Sequence, residues 1–295
     1  MSETDSQVLL EPELLARLRT LRLRSRERLS GALVGRHKSR RRGSSSEFAE
    51  HKEYSAGDDI RRLDWRAYAK VNRYYIKQFE DETHLRAFLV VDSSGSMGYG
   101  DGDGKKLTHA SRLAGAIGYL LLRGQDSVGL IAYNDRVTEA VPPRSDQGAI
   151  QELFRTLSTL RAEGPTLLTT GLTAVLEQAR RRSIIVVLSD LFEENTEFLD
   201  LLSTLSRRHD VLLLHVLHPD EMEFPFERMH LFRSMEDASE LMAEPEVIRD
   251  AYLREMQNFI DGCRRRCINQ GIRYALVPSG GAIDEQLSAV LGEKG

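Results

Sequence analysis

The chain has 295 residues, of which 41% are hydrophobic and 29% charged, and a formal net charge of −4. This composition is typical of a soluble globular protein rather than a disordered or membrane-embedded one, and no apolar run approaches the roughly 20 residues of a spanning helix. The polar residues 1–7 lack the basic and apolar pattern of a secretion signal. We therefore expect a cytoplasmic protein without membrane contact.

The first predicted element is an amphipathic helix over residues 9–33, followed by a linker, which together form a segment over residues 1–45. Residues 17–42 carry 11 Lys or Arg against the single acid Glu27, a net charge of +10, so the rest of the chain carries −14. A nucleic-acid-binding adaptor that uses this basic arm is one alternative function. Because residues 17–42 contain no aromatic side chain for base stacking, we favour a solvated helix face instead.

Residues 46–84 form a second segment that mixes charged and aromatic side chains. It contains a turn predicted over residues 55–59 and a strand predicted over residues 74–79. We expect Trp65, the single tryptophan of the chain, to anchor this segment on the body of the protein.

Residues 85–295 form the third segment, in which strands alternate with helices. Such alternation predicts an α/β fold with a mostly parallel central sheet and helices on both faces. The predicted strands are 85–91, 128–133, 183–188, 211–217 and 273–277, with 137–141 paired to 128–133 as a hairpin. The predicted helices are 107–122, 147–160, 168–181, 197–207, 246–267 and 283–291. A charged insertion lies near residues 219–245.

Oxygen-bearing side chains follow two of the apolar strands. Asp92, Ser94 and Ser96 come directly after the first strand, Asp190 follows strand 183–188, and Thr166 precedes a helix. Because ligands of such folds bind beyond the carboxyl ends of the strands, we expect these side chains to converge at one edge of the sheet. Carboxylate and hydroxyl oxygens suit a hard cation, which predicts a Mg²⁺ site, with Mn²⁺ and Ca²⁺ as alternatives.

The pattern Asp92-x-Ser94-x-Ser96, with Thr166 in a Gly-x-Thr-x-Leu context and Asp190 after an apolar strand, resembles the metal-ion-dependent adhesion site of von Willebrand factor type A domains. One departure is Leu167, where many relatives carry Asp or Asn. The resemblance implies a von Willebrand factor A-like Rossmannoid fold and a non-enzymatic protein-interaction module. In this module the bound metal ion would take an Asp or Glu of a protein partner as a ligand.

A wider resemblance covers roughly residues 35–290. Residues 46–48, 54–61 and 64–65 are similar to the segment that precedes the type A motif in the bacterial family called domain of unknown function 58. Many relatives have two N-terminal membrane helices; this chain lacks them and resembles the short soluble form. The family is often linked with MoxR-type AAA+ ATPases, so the resemblance implies such an ATPase as a partner.

An α/β-hydrolase-like esterase is the enzyme alternative. The sequence around Ser96 approaches a Gly-x-Ser-x-Gly elbow, and Asp190 and then His215 or His218 follow in the expected order. Ser94 replaces the first glycine, however, and no oxyanion segment of the His-Gly-Gly-Gly type is present. We therefore expect no catalysis.

Two parts of this region also have interpretations in which no ligand is bound. Ser96 and Thr166 are suited to capping helices, which would leave the two acids solvated. Residues 98–106 approach a phosphate-binding loop but lack its first glycine and its hydroxyl, so we predict a solvated loop at the rim of the site.

Overall fold

The computed structural model describes residues 9–19, 47–53, 68, 73–80, 85–193, 197–227, 230–233, 235 and 240–291. The chain divides into two compact units, residues 1–35 with 85–295, and residues 36–84. In the smaller unit, strands β1 (Glu47–Glu53) and β2 (Tyr75–Glu80) pair in antiparallel fashion. The strand predicted over residues 74–79 is thereby confirmed. The predicted turn at 55–59 and the predicted anchor Trp65 lie outside the described residues.

The larger unit is built on a six-stranded sheet with the order β10-β7-β6-β3-β4-β5. Its strands are β3 (Arg86–Asp92), β4 (Ser127–Tyr133), β5 (Val137–Arg144), β6 (Ile184–Ser189), β7 (Asp210–Leu217) and β10 (Arg273–Pro278). All neighbours are parallel except β4 and β5, which form the predicted antiparallel hairpin. The predicted α/β fold with a mostly parallel sheet is confirmed.

The described helices of this unit include one over residues 12–19, labelled α1, and seven that follow the sheet strands or the insertion. These are α2 (Lys106–Arg123), α3 (Ala149–Thr159), α4 (Leu168–Gln178), α5 (Phe198–Ser206), α6 (Pro219–Glu223), α7 (Pro245–Asn269) and α8 (Ile283–Val290). Short 3-10 turns cover Gly95–Gly98 and Gly102–Gly104. Within the described ranges, no helix combines the length and the apolar character that crossing a bilayer requires.

Strand β3 shows why the sheet is covered on both faces. Its residues 87–92 are fully buried, and its apolar side chains alternate between two cores, because successive side chains of a strand point to opposite faces. Leu89 and Val91 belong to a core completed by α1, α2, α3 and α8, whereas Phe88 and Val90 belong to one completed by α4, α5 and α7. A strand buried on both faces reads as a continuous apolar run, which is why the sequence predicted it well.

The N-terminal helix begins later than predicted. The structure starts it at residue 12 and describes it to residue 19; residues 20–46 lie outside the described ranges. Leu14 and Leu18 are buried in the core shared with α2, and Arg19 Nε donates a hydrogen bond of 3.1 Å to the Tyr119 hydroxyl. This helix is therefore part of the larger unit.

The charged insertion has regular structure that the sequence did not predict. It contains α6 and an antiparallel hairpin of β8 (His230–Arg233) and β9 (Glu240–Ala243). In α7, which follows it, Cys263 and Cys267 lie one helical turn apart and are free thiols.

Candidate functional site

The candidate site lies at the carboxyl edge of the sheet, where β3 and β6 end side by side. The two strands are parallel neighbours, with Val91 opposite Leu188, so the residues that follow them meet in space. Asp92 and Asp190 are both fully buried. These residues therefore lie at the carboxyl edge of the sheet, where the sequence predicted them.

Asp92 is the centre of a hydrogen-bonded cluster. Its Oδ2 accepts hydrogen bonds from the hydroxyls of Ser189, at 2.7 Å, and Thr166, at 3.1 Å. Its Oδ1 accepts one from the Ser94 N–H at 2.9 Å. The Ser94 hydroxyl lies 3.1 Å from that of Ser96. Four of the five predicted site residues are thus brought together, and Ser189 joins them.

The loop that carries Thr166 is held in place by backbone hydrogen bonds. Gly95 N–H donates to the Gly164 carbonyl at 2.7 Å, and Glu163 N–H donates to the Ser93 carbonyl at 3.0 Å. The Asn134 side chain, just beyond β4, donates to the Glu163 carbonyl at 2.8 Å. These bonds tie the loop before α4 to the loop after β3, which fixes the distance from Thr166 to Asp92.

Glu193 joins the loop after β6 to the start of α4. Its Oε2 accepts a hydrogen bond of 3.0 Å from the Leu168 N–H, the first of the helix. A carboxylate at this end of a helix is favourable because the N-terminal N–H groups carry partial positive charge. Sequence analysis missed Glu193 and Asn134, because neither belongs to the motif.

Asp190 has a different set of contacts from Asp92. Its Oδ2 accepts a hydrogen bond of 2.8 Å from Lys106 Nζ, and its Oδ1 accepts one of 3.2 Å from the Phe192 N–H. Lys106 is fully buried and also pairs with Glu221 at 2.6 Å. The prediction of a solvated loop over residues 98–106 is therefore wrong for Lys106, because two carboxylates hold it inside the protein.

Only residues 101–103 of that loop are exposed, as predicted for the whole loop, and the loop is anchored. Asp101 and Asp103 are exposed, whereas the Gly104 carbonyl accepts a hydrogen bond of 2.7 Å from the Ser279 hydroxyl. This bond joins the rim of the site to the residue that follows β10.

The electrostatics of the site make the ionised form of Asp92 costly. Burial, followed by the negative charge of Asp190, raises the pKa of Asp92 to about 6. Hydrogen bonds from Ser189 and Ser94 oppose this rise without cancelling it. An added cation would relieve the same penalty, because opposite charge favours the ionised carboxylate.

The donor set fits a small hard cation. Among the described residues, no three His, Cys, Asp or Glu side chains cluster as ligands, so a metal ion here would depend on hydroxyl oxygens. The buried Tyr133 hydroxyl lies close to the Ser189 hydroxyl and the Asp92 carboxyl. Burial and then the Asp92 charge raise the pKa of Tyr133 well above its usual value. Carboxylate and hydroxyl oxygens are the ligands that a small hard cation prefers.

Neither Ser96 nor Thr166 acts as a helix cap. The 3-10 turn begins after Ser94 and α4 begins after Leu167, in both cases without a side-chain capping bond. The capping interpretation is wrong because the Thr166 hydroxyl is bonded to Asp92 instead.

The contacts of the two histidines do not support a hydrolase. His215 lies with Nε2 2.9 Å from the Asp190 carbonyl and Nδ1 2.7 Å from the Tyr274 hydroxyl. His218 Nδ1 accepts a hydrogen bond from the Asp220 N–H at the start of α6. Both rings are therefore engaged away from Ser96. His215 is a packed, hydrogen-bonded core residue.

The β8–β9 hairpin reaches the edge of the site. A Cβ atom added to Gly95 would overlap the backbone carbonyl of Met235, and one added to Gly98 would lie 3.2 Å from Met235 Cε. Glycine at position 95 is thus required by the close approach of this hairpin. Sequence analysis missed Met235, since nothing in the local sequence links it to a loop so far away along the chain.

The fold and the cluster together define an α/β domain with an oxygen-rich site, built from hydroxyls and buried carboxylates, at the carboxyl edge of its sheet. A family model described as "Protein of unknown function DUF58" matches residues 50–259. The chain belongs to this family, which confirms the resemblance seen in the sequence.

Relatives with similar sequences occur in mycobacteria. Uncharacterized proteins of Mycobacterium tuberculosis and Mycobacterium bovis are each 32% identical to this chain over 218 residues, which cover 73% of this chain and 68% of theirs.

Solved structures resemble the chain more distantly. The conserved hypothetical protein BatB from Bacteroides thetaiotaomicron has a TM-score of 0.46 at 15% identity, over 71% of this chain and 98% of its own. An aerotolerance-related membrane protein from Bacteroides fragilis has a TM-score of 0.47 at 18% identity, with the same coverage. A von Willebrand factor type A protein from Catenulispora acidiphila has a TM-score of 0.35 at 12% identity, over 58% of this chain and 41% of its own.

Proposed function

We propose that this protein is a non-enzymatic, metal-dependent protein-interaction module. In this proposal Mg²⁺ binds at the Asp92 cluster and takes an aspartate or glutamate of a protein partner as a further ligand. Ser94, Ser96 and Thr166 supply hydroxyl ligands, and the carboxylates of Asp92 and Asp190 act partly through water. The observation that carries the proposal is the convergence of the Thr166 and Ser189 hydroxyls on one buried oxygen of Asp92.

A single direct carboxylate ligand leaves a divalent ion able to bind an acidic partner. Of the two site carboxylates, Asp190 is already paired with the buried ammonium of Lys106. A divalent ion beside Asp92 would therefore keep positive charge that the immediate ligands do not neutralise. Mg²⁺ commonly retains several water ligands, and a partner's carboxylate can replace one of them.

The partner proposed first is a MoxR-type AAA+ ATPase, which the family resemblance implies, in the cytoplasm. It is consistent with the acid-binding chemistry proposed for the site. It is tested separately from metal binding.

Metal binding is tested by isothermal titration calorimetry of Mg²⁺ into the full chain, with Asp92→Asn and Ser96→Ala as variants. We expect binding by the wild type and a loss of at least about tenfold in affinity for each variant, since each removes one ligand oxygen or its charge. Ser158→Ala is the matched control, because this exposed hydroxyl bonds only to the Arg155 carbonyl within α3. Equal Mg²⁺ affinity in all four proteins would refute the site.

Partner binding is tested with a purified MoxR-type ATPase immobilised in Mg²⁺. Chelation alone is ambiguous, because the ATPase itself needs Mg²⁺ for nucleotide. The decisive comparison is therefore wild type against Asp92→Asn at constant Mg²⁺. Retention of the ATPase by both proteins would show that the contact does not use this site.

A further inference from the structure

Lys106 is a buried cation placed beside the candidate site. It is the first residue of α2, and its side chain is fully buried. Its Nζ lies 2.8 Å from Asp190 Oδ2 and 2.6 Å from Glu221 Oε1. A buried charge with two well-placed partners is held firmly, because losing either partner leaves an uncompensated charge in a medium of low dielectric constant.

Glu221 is fixed from its other side, so it holds Lys106 in place. Its Oε2 accepts a hydrogen bond of 2.7 Å from the His218 N–H, which closes the capping box of α6. Its backbone carbonyl accepts one of 2.9 Å from the Tyr252 hydroxyl of α7. The Phe192 ring lies 4.9 Å from the ammonium and limits movement on a further side.

The ion pair restricts what Asp190 can do. Both of its carboxylate oxygens already accept hydrogen bonds, one from Lys106 and one from the Phe192 N–H. Direct coordination of a metal ion by Asp190 would weaken one of these bonds and bring a divalent charge close to the ammonium. Asp92 has no such cationic partner among the described contacts, since its bonds come from hydroxyls and one backbone N–H.

We propose that Lys106 is a positioning residue of the cation site: its ion pair keeps Asp190 out of direct contact with the ion and lowers the affinity of the free protein for divalent cations. This inference rests on the proposed function, because it concerns the same site. An ion with hydroxyl and water ligands and a single direct carboxylate gains strongly from one more carboxylate. Lys106 thus makes tight metal binding depend on the acidic partner.

The test is calorimetric titration of MgCl₂ and of CaCl₂ into the wild-type full chain and Lys106→Met. Removing the ammonium frees Asp190, and the affinity for both ions is expected to rise at least about tenfold, because Asp190 can then supply a second direct carboxylate ligand. A purely structural role for Lys106 predicts the opposite sign, because a damaged site binds more weakly.

Two further variants keep the test decisive. Lys106→Gln removes the charge but keeps a hydrogen-bond donor, and it replaces Lys106→Met if circular dichroism shows that the methionine variant is unfolded. Glu221→Gln is the matched control, because it disturbs the same network while leaving the ion pair of Lys106 with Asp190 intact. We expect no gain in metal affinity from Glu221→Gln.

A double variant establishes that Lys106 acts through Asp190. The gain of Lys106→Met is expected to disappear when Asp190→Asn is present as well. A full gain in the double variant would overturn the positioning role, because Lys106 would then act on the ion directly.

The outcomes separate this inference from the proposed function. Metal binding by the wild type with no gain in a folded Lys106 variant overturns the inference alone. Binding by the Lys106 variant but not by the wild type supports both, because it shows that the ammonium suppresses metal binding by the free protein. Absence of binding in both proteins overturns both.

Discussion

The buried charge of Asp92 should destabilise the metal-free protein, and this effect has a calculable size. Its pKa rises from an ordinary value of 3.8 to about 6, first because the carboxyl is buried and second because of Asp190. Each pKa unit is worth about 1.4 kcal/mol, so the rise corresponds to roughly 3 kcal/mol. A stability change of this order is a large fraction of what holds a domain folded.

The sign of the effect follows from the proton count of the two states. Between about pH 4 and pH 6 the unfolded chain has lost the proton of Asp92 while the native protein keeps it. The free energy of unfolding therefore falls as pH rises through this window, and the full penalty is present above pH 6.

Asp92→Asn removes this penalty with little change in shape. The Ser189 and Thr166 hydroxyls that donate to Oδ2 can rotate and accept instead from an amide. In EDTA at pH 7.5 we expect this variant to be more stable than the wild type by about 2 kcal/mol, and we expect the difference to vanish near pH 4.

The assay is urea unfolding of both proteins in EDTA at several pH values between 4 and 7.5. Saturating Mg²⁺ at pH 7.5 should reverse the order, because it stabilises only the protein that binds it. A difference independent of pH, or a less stable Asp92→Asn variant at pH 7.5, would refute the electrostatic reasoning.

Three further predictions concern the surroundings of the site. Gly171→Ala should destabilise the protein by about 1 to 2 kcal/mol in urea unfolding, because the new Cβ would lie 2.6 Å from the buried Tyr133 ring. Gly262→Ala, in an open position of α7, should instead stabilise the protein by up to about 1 kcal/mol. Equal effects of the two substitutions would contradict the close contact between Gly171 and the Tyr133 ring. Gly95→Ala should displace the β8–β9 hairpin and speed its tryptic cleavage several-fold, whereas an unchanged rate would argue against the close approach. Burial lowers the pKa of His215 to about 4, so its NMR resonances should not titrate between pH 8 and 5, and a midpoint near 6.5 would show that the ring is not buried.

The sequence by itself determined the sheet and the motif. Strand β6 is apolar over residues 184–188 and buried throughout. A strand that is buried on both faces is a continuous apolar run, so it can be predicted from the local sequence alone. The spacing of Asp92, Ser94 and Ser96 can likewise be recognised from the local sequence alone. Because parallel strands end at the same edge, the sequence was enough to predict that these residues lie at the same edge as Asp190.

Only the tertiary structure decided how the site is completed. Lys106 and Asp190 are 84 positions apart, and Lys106 and Glu221 are 115 apart, so no local pattern distinguishes this buried lysine from the solvated ones around it. The same holds for the close approach of Met235 to Gly95. Met235 lies in the insertion, whose hairpin has no strong periodicity of apolar residues in the sequence. Local sequence determines the conformation of a segment. Which charged side chains are buried together depends instead on packing between segments that are distant along the chain.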